Sequence, residues 1–171
     1  MIRIIGALLL VGGASVIGFG ASWELSVRVR VLGSFLSALE LMRSEIGSRL
    51  TPICELMEKL SRETISPLDS FFKTCGDEKR EKQDVSFSII WRKNLKRAEY
   101  LRLKSNEREV LAELGSVLGR YDAEKQISAI SHLQRRVQSL WQSAENDRKS
   151  LGKLYAKLGL ICGVSVVIVL I

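Results

Sequence analysis

The chain of 171 residues carries 26 lysines and arginines against 19 acids, three cysteines and one histidine. Acids and bases are mixed between residues 24 and 153, which argues against a nucleic-acid binder, because such proteins usually carry a one-sided basic patch. An odd number of cysteines without a CxxC pair argues against a disulfide framework or a zinc site. Cys54, Cys75 and Cys162 are therefore predicted to be free, buried thiols, and no metal or cofactor is expected.

The N-terminal segment is strongly apolar. Residues 4–23 contain no charged side chain and end at Trp23, a residue typical of the membrane interface. Such a helix is about 30 Å long, which matches the thickness of a hydrocarbon core. Residues 1–23 are therefore predicted to be a transmembrane helix. A cleaved signal peptide is the alternative, since Arg3 and the small residues near Gly20 fit one, but the apolar run is longer than such peptides use.

Three helices are predicted between residue 24 and residue 84. The first has an apolar stripe in which one residue recurs every seven positions: Leu25, Leu32, Leu39 and Ile46. It is expected to break near residues 47–48. Thr51 and Pro52 fit the N-cap and first position of the next helix, and Ser66–Pro67 fit the start of a third. The polar stretch 76–84 is predicted to be an exposed loop or a solvated turn.

The most basic part of the chain follows this stretch. A longer helix is predicted from Val85 to Lys104, and it carries a group of cations: Arg92, Lys93, Lys96 and Arg97. Two interpretations stay open. The cations form either a docking site for an acidic partner or anionic lipid headgroups, or a solvated helix face.

A tight corner is predicted between the last two helices. Ser105 or Asn106 is expected to cap the first of them, which ends at Gly119, and Asp122 is expected to cap the second. Gly115, inside the first helix, either lets the two helices pack closely or is a tolerated weak spot. Short connections of this kind join antiparallel neighbours.

The final helix carries a second heptad stripe, formed by Ile130, Val137, Ala144 and Leu151. The second apolar position of the same heptads is interrupted once, by Asp147. This stripe is expected to pack on the helix that follows the first apolar segment. An intermolecular coiled coil, and with it a homo-oligomer, is the alternative. Residues 154–171 end in an uncharged run and are predicted to be a second transmembrane helix, in which Gly159 and Gly163 have the spacing that lets membrane helices approach.

These elements predict an all-α fold, a cytoplasmic antiparallel helical bundle at residues 24–153 between two transmembrane helices. Positive charges near the two spans place the middle domain in the cytoplasm and both termini outside. The sequence contains no phosphate loop, dinucleotide fingerprint or metalloprotease motif, so the chain is predicted not to be an enzyme. His132 faintly suggests the phospho-acceptor helix of sensor histidine kinases, but the chain is too short to hold a nucleotide-binding part.

A series of short motifs runs along nearly the whole chain: Glu45-Ile46, Thr51-Pro52, Phe71-Phe72, Trp91, Leu114-Gly115, Leu118-Gly119, Asp122, Gln126, Leu158-Gly159 and Gly163. In their order and spacing the chain resembles the stage III sporulation protein AB family of endospore-forming bacteria. The run from Leu114 to Gln126 is the most specific part of the resemblance.

The resemblance implies a function that the amino-acid composition alone does not indicate. Family members belong to a mother-cell complex at the membrane facing the engulfed forespore, which is thought to form a channel. They look like the platform protein of type II secretion and type IV pilus machines. A platform of this kind would couple a cytoplasmic secretion-type ATPase to other membrane components. A generic membrane-anchored coiled-coil scaffold outside sporulation is the alternative.

Two surfaces are expected to contact partners of such a complex. The first is the corner that contains Gly115, Gly119, Asp122 and Gln126. The second is the group of cations Arg92, Lys93, Lys96 and Arg97, for which charge is the only reason.

Overall fold

The computed structural model describes the backbone of residues 2–49, 51–118 and 122–170, and the side chains of residues 20, 22–49, 51–118 and 122–151. Over these residues the chain is all-α, as predicted. One 3₁₀ turn at Glu99–Leu101 and six α-helices are described: α1 Ile2–Arg49, α2 Ile53–Glu63, α3 Leu68–Glu81, α4 Phe87–Arg97, α5 Ser105–Val117 and α6 Ala123–Leu170.

The predicted membrane segments fall at the outer ends of α1 and α6. Among the described residues, no helix combines the length and the apolar character needed to cross a membrane. Residues 154–171, and residues 1–23 apart from Gly20, Ser22 and Trp23, lie outside the side chains that are described.

The chain divides into two compact units, residues 30–142 and residues 1–29 together with 143–171. Within residues 30–142, α1 and α6 run antiparallel. Trp141 lies over Gly33, and the side-chain amide of Gln134 donates to Glu40 at 2.9 Å. The predicted packing of the last helix on the first is therefore confirmed within one chain.

The two heptad stripes account for much of the core of this unit. The stripe residues of α1 and α6 that are fully buried, or nearly so, are Leu32, Phe35, Leu39, Met42, Ile46, Ile130, Leu133 and Val137. Burial of one face on each helix is what the seven-residue period requires.

The connection between α1 and α2 differs from the prediction. α1 passes Gly47 and continues to Arg49, and Thr51 does not cap α2. Instead the Thr51 hydroxyl donates to Oε2 of Glu45 at 3.1 Å, and Lys59 contacts Oε1 of the same carboxylate at 2.8 Å. Glu45 is only 7 % exposed, and a carboxylate so far from water needs such donors.

Helix α3 corrects the predicted loop at residues 76–84. The helix continues through the first six of these residues and ends at Glu81. Gly76 is buried, and a Cβ built on it would lie 3.0 Å from Cβ of Met57, so the glycine allows α3 to pack closely on α2. Arg80 then pairs with Glu58 of α2 at 3.2 Å. Asp77, Arg80 and Glu81 are exposed on the outer face of this helix, and only residues 82–84 form an exposed turn of the kind predicted.

The prediction of one long helix from Val85 to Lys104 is also wrong about where the helix begins and ends. α4 covers only Phe87–Arg97, and Arg102 adopts a left-handed conformation with φ 52°. The guanidinium of Arg108 donates to the carbonyls of Ala98 at 3.1 Å and Leu103 at 3.3 Å, and also to that of Leu95. These carbonyls are satisfied by a side chain, so the helix can end there.

Two other predicted caps have opposite outcomes. Helix α5 begins at Ser105, with Lys104 in the N-cap position, where its N–H donates to Oε2 of Glu107 at 2.8 Å. Neither Ser105 nor Asn106 is therefore the cap. Asp122 is confirmed as the cap of α6, because its Oδ1 accepts from the N–H of Lys125 at 3.0 Å. Gly119 lies outside the described residues.

An aromatic cluster forms the centre of residues 30–142. Its members are Phe35 of α1, Phe71 and Phe72 of α3, and Phe87 and Trp91 of α4. The rings of Phe71 and Trp91 are 4.8 Å apart at 77°, an edge-to-face arrangement. The buried indole N–H of Trp91 donates to the carbonyl of Leu111 at 2.8 Å, which joins α4 to α5.

Gly115 of α5 lies against the Trp91 side chain of this cluster. A Cβ at position 115 would lie 2.6 Å from Cδ1 and Cγ of Trp91, so only glycine permits the observed contact. The glycine therefore serves close helix packing, one of the two predicted alternatives. Its neighbour is α4, whereas the sequence suggested the helix beyond the corner.

The unit formed by residues 1–29 and 143–171 explains the interruption at Asp147. Nη1 of Arg28 lies 2.9 Å from Oδ2 of Asp147, and Arg28 is only 5 % exposed. A buried arginine needs a hydrogen-bonded countercharge, so Asp147 replaces an apolar residue where the stripe meets Arg28.

Gly115→Ala is expected to destabilise the full-length protein by about 1–2 kcal/mol, because the added methyl overlaps a rigid indole and overpacking outweighs the gain in helix propensity. Gly47→Ala is the matched control. Its methyl would lie 3.3 Å from Cδ1 of Ile127, the mobile end of a side chain, so stability should stay equal or rise by up to about 1 kcal/mol. Urea unfolding followed by circular dichroism measures both, and a Gly115→Ala protein as stable as Gly47→Ala would contradict the packing described.

Candidate partner surface

Helix α4 presents a row of side chains to solvent. Ile89, Arg92 and Lys96 are exposed and lie three and four residues apart, so they share one helix face. Arg97 is exposed beside them, and Lys93 is half-buried. The opposite side of α4 carries its buried residues: Phe87, Ile90, Trp91, Asn94 and Leu95.

Lys93 does not belong to the exposed row. Its ammonium pairs with Oε1 of Glu78, which also accepts from Lys82 at 2.8 Å, while Oε2 of Glu78 accepts from the amide of Asn94 at 2.8 Å. These three donors, led by Lys82, hold the pKa of Glu78 at about 2. Glu78 thus joins α3 to α4, and the charge of Lys93 is used inside the domain.

The other three cations of the group have a different environment. The side chains of Arg92, Lys96 and Arg97 form no ion pair with any residue that the structure describes. Many cations elsewhere on the surface are paired, such as Arg136 with Glu113. We refer to Ile89, Arg92, Lys96 and Arg97 as the α4 face. Uncompensated charge on a rigid helix attracts anionic partners.

The α4 face is held in place from both sides. The indole of Trp91 anchors the middle of the helix to Leu111, and Asn94 anchors it to Glu78. The guanidinium of Arg108 fixes the carbonyls at its C-terminal end. A partner would therefore meet a preformed surface, which lowers the entropic cost of binding.

The predicted corner residues serve different purposes. Gly115 is buried against Trp91, and Asp122 is exposed but caps α6 and pairs with Lys125 at 3.3 Å. Gln126 is half-buried and lines a groove of about 250 Å³ with Ile46, Leu56 and other residues. Gly119, Gly159 and Gly163 lie outside the described side chains.

Ile89 was missed by the sequence analysis. It is 61 % exposed, although its neighbour Ile90 is 1 % exposed. The periodicity of Phe87, Trp91 and Leu95 contains the signal, because Ile89 falls outside the apolar stripe that these residues define.

The remaining reactive side chains offer little chemistry. Cys54 and Cys75 are both free, as predicted, but only Cys75 is buried, because Cys54 is half-buried. Cys162 lies outside the described side chains. Burial, with a smaller effect of Glu78, raises the pKa of the Cys75 thiol to about 12, so that a thiolate does not form near neutral pH. His132 is exposed on α6. No cluster of metal-ligating side chains occurs among the described residues.

Comparison with known proteins gives one consistent family. The model of the family described as stage III sporulation protein AB matches residues 3–171. Stage III sporulation protein AB of Bacillus subtilis (strain 168) is 25 % identical over 171 residues, which are 99 % of each chain. A solved structure of stage III sporulation protein AB has a TM-score of 0.64 and 24 % identity, covering 71 % of this chain and 96 % of that chain. At this identity the structural likeness shows a shared fold.

Glu78→Gln is expected to flatten the acid limb of the stability curve. The pKa of Glu78 is lowered in the folded protein, so its contribution is complete above pH 4.5 and is lost as pH falls towards about 2. Urea unfolding at a series of pH values should therefore show the variant less stable at pH 7 and the difference vanishing near pH 2. Glu81→Gln, on the exposed side of the same helix, is the control. Wild-type and Glu78→Gln curves that stay parallel would contradict this role.

Proposed function

The chain belongs to the stage III sporulation protein AB family, and on that premise we propose that it is a non-enzymatic membrane platform of the mother-cell sporulation channel complex. In this role it couples a cytoplasmic secretion-type ATPase to the other membrane components of the complex. The observation that carries the proposal is the α4 face, a rigid surface whose three cations have no ion partner among the described residues.

The family motifs support this assignment indirectly, because most of the motif residues that the structure describes make contacts inside the fold. Glu45 binds Thr51 and Lys59 at the first corner, and Trp91 and Gly115 form the packed centre. Contacts with partners are then left to surfaces such as the α4 face, whose cations have no ion partner among the residues described.

Membrane attachment is part of the proposal. Residues 4–23 and 158–171 carry no charge, and each lies almost entirely within the helical bounds of α1 or α6. We propose that residues 1–23 and 154–171 each cross the bilayer and that residues 24–153 face the mother-cell cytoplasm, where an ATPase is found. Gly159 and Gly163 then provide a contact between membrane helices.

The contact with the ATPase is electrostatic in this account. The cations of the α4 face are exposed, so each contributes modestly, up to about 1 kcal/mol, and the interaction weakens as salt screens it. An acidic surface on the ATPase would also be steered towards this face, which raises the association rate.

The triple variant Arg92→Glu, Lys96→Glu, Arg97→Glu tests the proposal. Lys93 is left unchanged, because it holds α3 and α4 together through Glu78. The full-length protein in detergent should bind the purified ATPase about a hundredfold more weakly than the wild type, as three lost pairs predict. Biolayer interferometry at two salt concentrations provides the measurement.

The matched control reverses three other exposed cations without ion partners among the described residues, namely Arg30, Lys73 and Arg135. It has the same net charge as the test variant and should bind normally. Equal loss in both variants would mean that only net charge matters. Unchanged binding in the test variant would exclude the α4 face as the ATPase site.

A further inference from the structure

Ile89 gives the α4 face an apolar element that charge alone does not explain. The side chain is 61 % exposed and lies on the same helix face as Arg92 and Lys96. Single exposed aliphatic residues are common, but this one adjoins three cations without ion partners among the described residues. Apolar contact surrounded by charge is the usual arrangement of an interface centre and its rim.

We propose that the α4 face receives an acidic amphipathic helix, which places one aliphatic side chain on Ile89 and carboxylates on Arg92 and Lys96. This inference rests on the proposed function and names the chemistry of the partner's contact segment. From Ile89 to Lys96 the helix rises about 10 Å, or two turns. A second helix matches this length with an aliphatic residue followed by acids one and two turns away.

The number of available cations favours a protein segment over a lipid surface. Polybasic sites for anionic lipids typically contain four to eight cations, held near the bilayer. Lys93 is half-buried and pairs with Glu78, so the α4 face offers three cations without an ion partner among the described residues. Ordered spacing along a fixed helix also suits side chains at helical intervals better than it suits mobile headgroups.

The probe is a stapled helical peptide of about 14 residues, roughly four turns, with one leucine and with glutamates three and seven positions after it. A second peptide has alanine in place of leucine, and a third has the same composition in scrambled order. Fluorescence anisotropy measures their binding to the full-length protein in nanodiscs of phosphatidylcholine, with and without added phosphatidylglycerol.

The first peptide should bind the wild type. Its affinity for the Ile89→Ala variant should be about tenfold lower, since the peptide no longer buries the isoleucine side chain. Ile65→Ala is the control, because Ile65 is equally exposed, at 59 %, but lies between α2 and α3. Combining Ile89→Ala with the alanine peptide should cost little more than either change alone, because both remove the same contact.

Three results would overturn the inference: equal binding of the scrambled peptide, additive losses in that pair of changes, or displacement of the peptide by phosphatidylglycerol. The last would assign the face to lipid headgroups. Different results would overturn the proposed function and the present inference. ATPase binding that needs the three cations but not Ile89 would preserve the platform role and reject the helix, whereas peptide binding without ATPase binding would do the reverse.

Discussion

The indole of Trp91 rests directly on the backbone of Gly115, and the orientation of α4 depends on this contact. The ring is also surrounded by phenylalanines of α1 and α3, and its N–H is satisfied by the carbonyl of Leu111. Large aromatic side chains dominate core energetics, so this packing fixes one side of α4 against the domain. The other side must then face solvent, and it is there that Ile89, Arg92 and Lys96 lie.

Two sets of charged residues in the chain have different physical roles. Glu45, Glu78 and Asp147 are largely buried or surrounded by donors, and each joins two helices. Arg28 is the one buried countercharge in these three groups, so removing Asp147 is the costliest of the changes. All three carboxylates fix how two helices meet. The three cations of the α4 face have no ion partner in the part of the chain that the structure describes, so their charge remains available to a partner. The first set joins helices to one another, whereas the second lies on the surface.

Regular parts of the fold could be predicted from the sequence because burial follows a local period. The stripe of Leu32 and Leu39 gave α1, and that of Ile130 and Val137 gave α6. The cap at Asp122 was also predictable, because its hydrogen bond is local. Two other helix ends could not be predicted, because they depend on distant groups: Thr51 bonds Glu45 rather than capping α2, and Arg108 ends α4 from another helix. The candidate surface was predicted in part. Its cations were visible, but the loss of Lys93 to Glu78, fifteen residues away, required the structure.

The central claim is that the α4 face contacts the ATPase of a sporulation complex. The most direct measurement replaces Lys96 by a photo-crosslinking amino acid in sporulating cells of the host and identifies the captured protein by mass spectrometry. The same replacement at Arg135, exposed on α6, is the reference. The account predicts capture of the secretion-type ATPase from position 96 and none from position 135. Capture from position 135 alone, or of phospholipid alone at position 96, would contradict it.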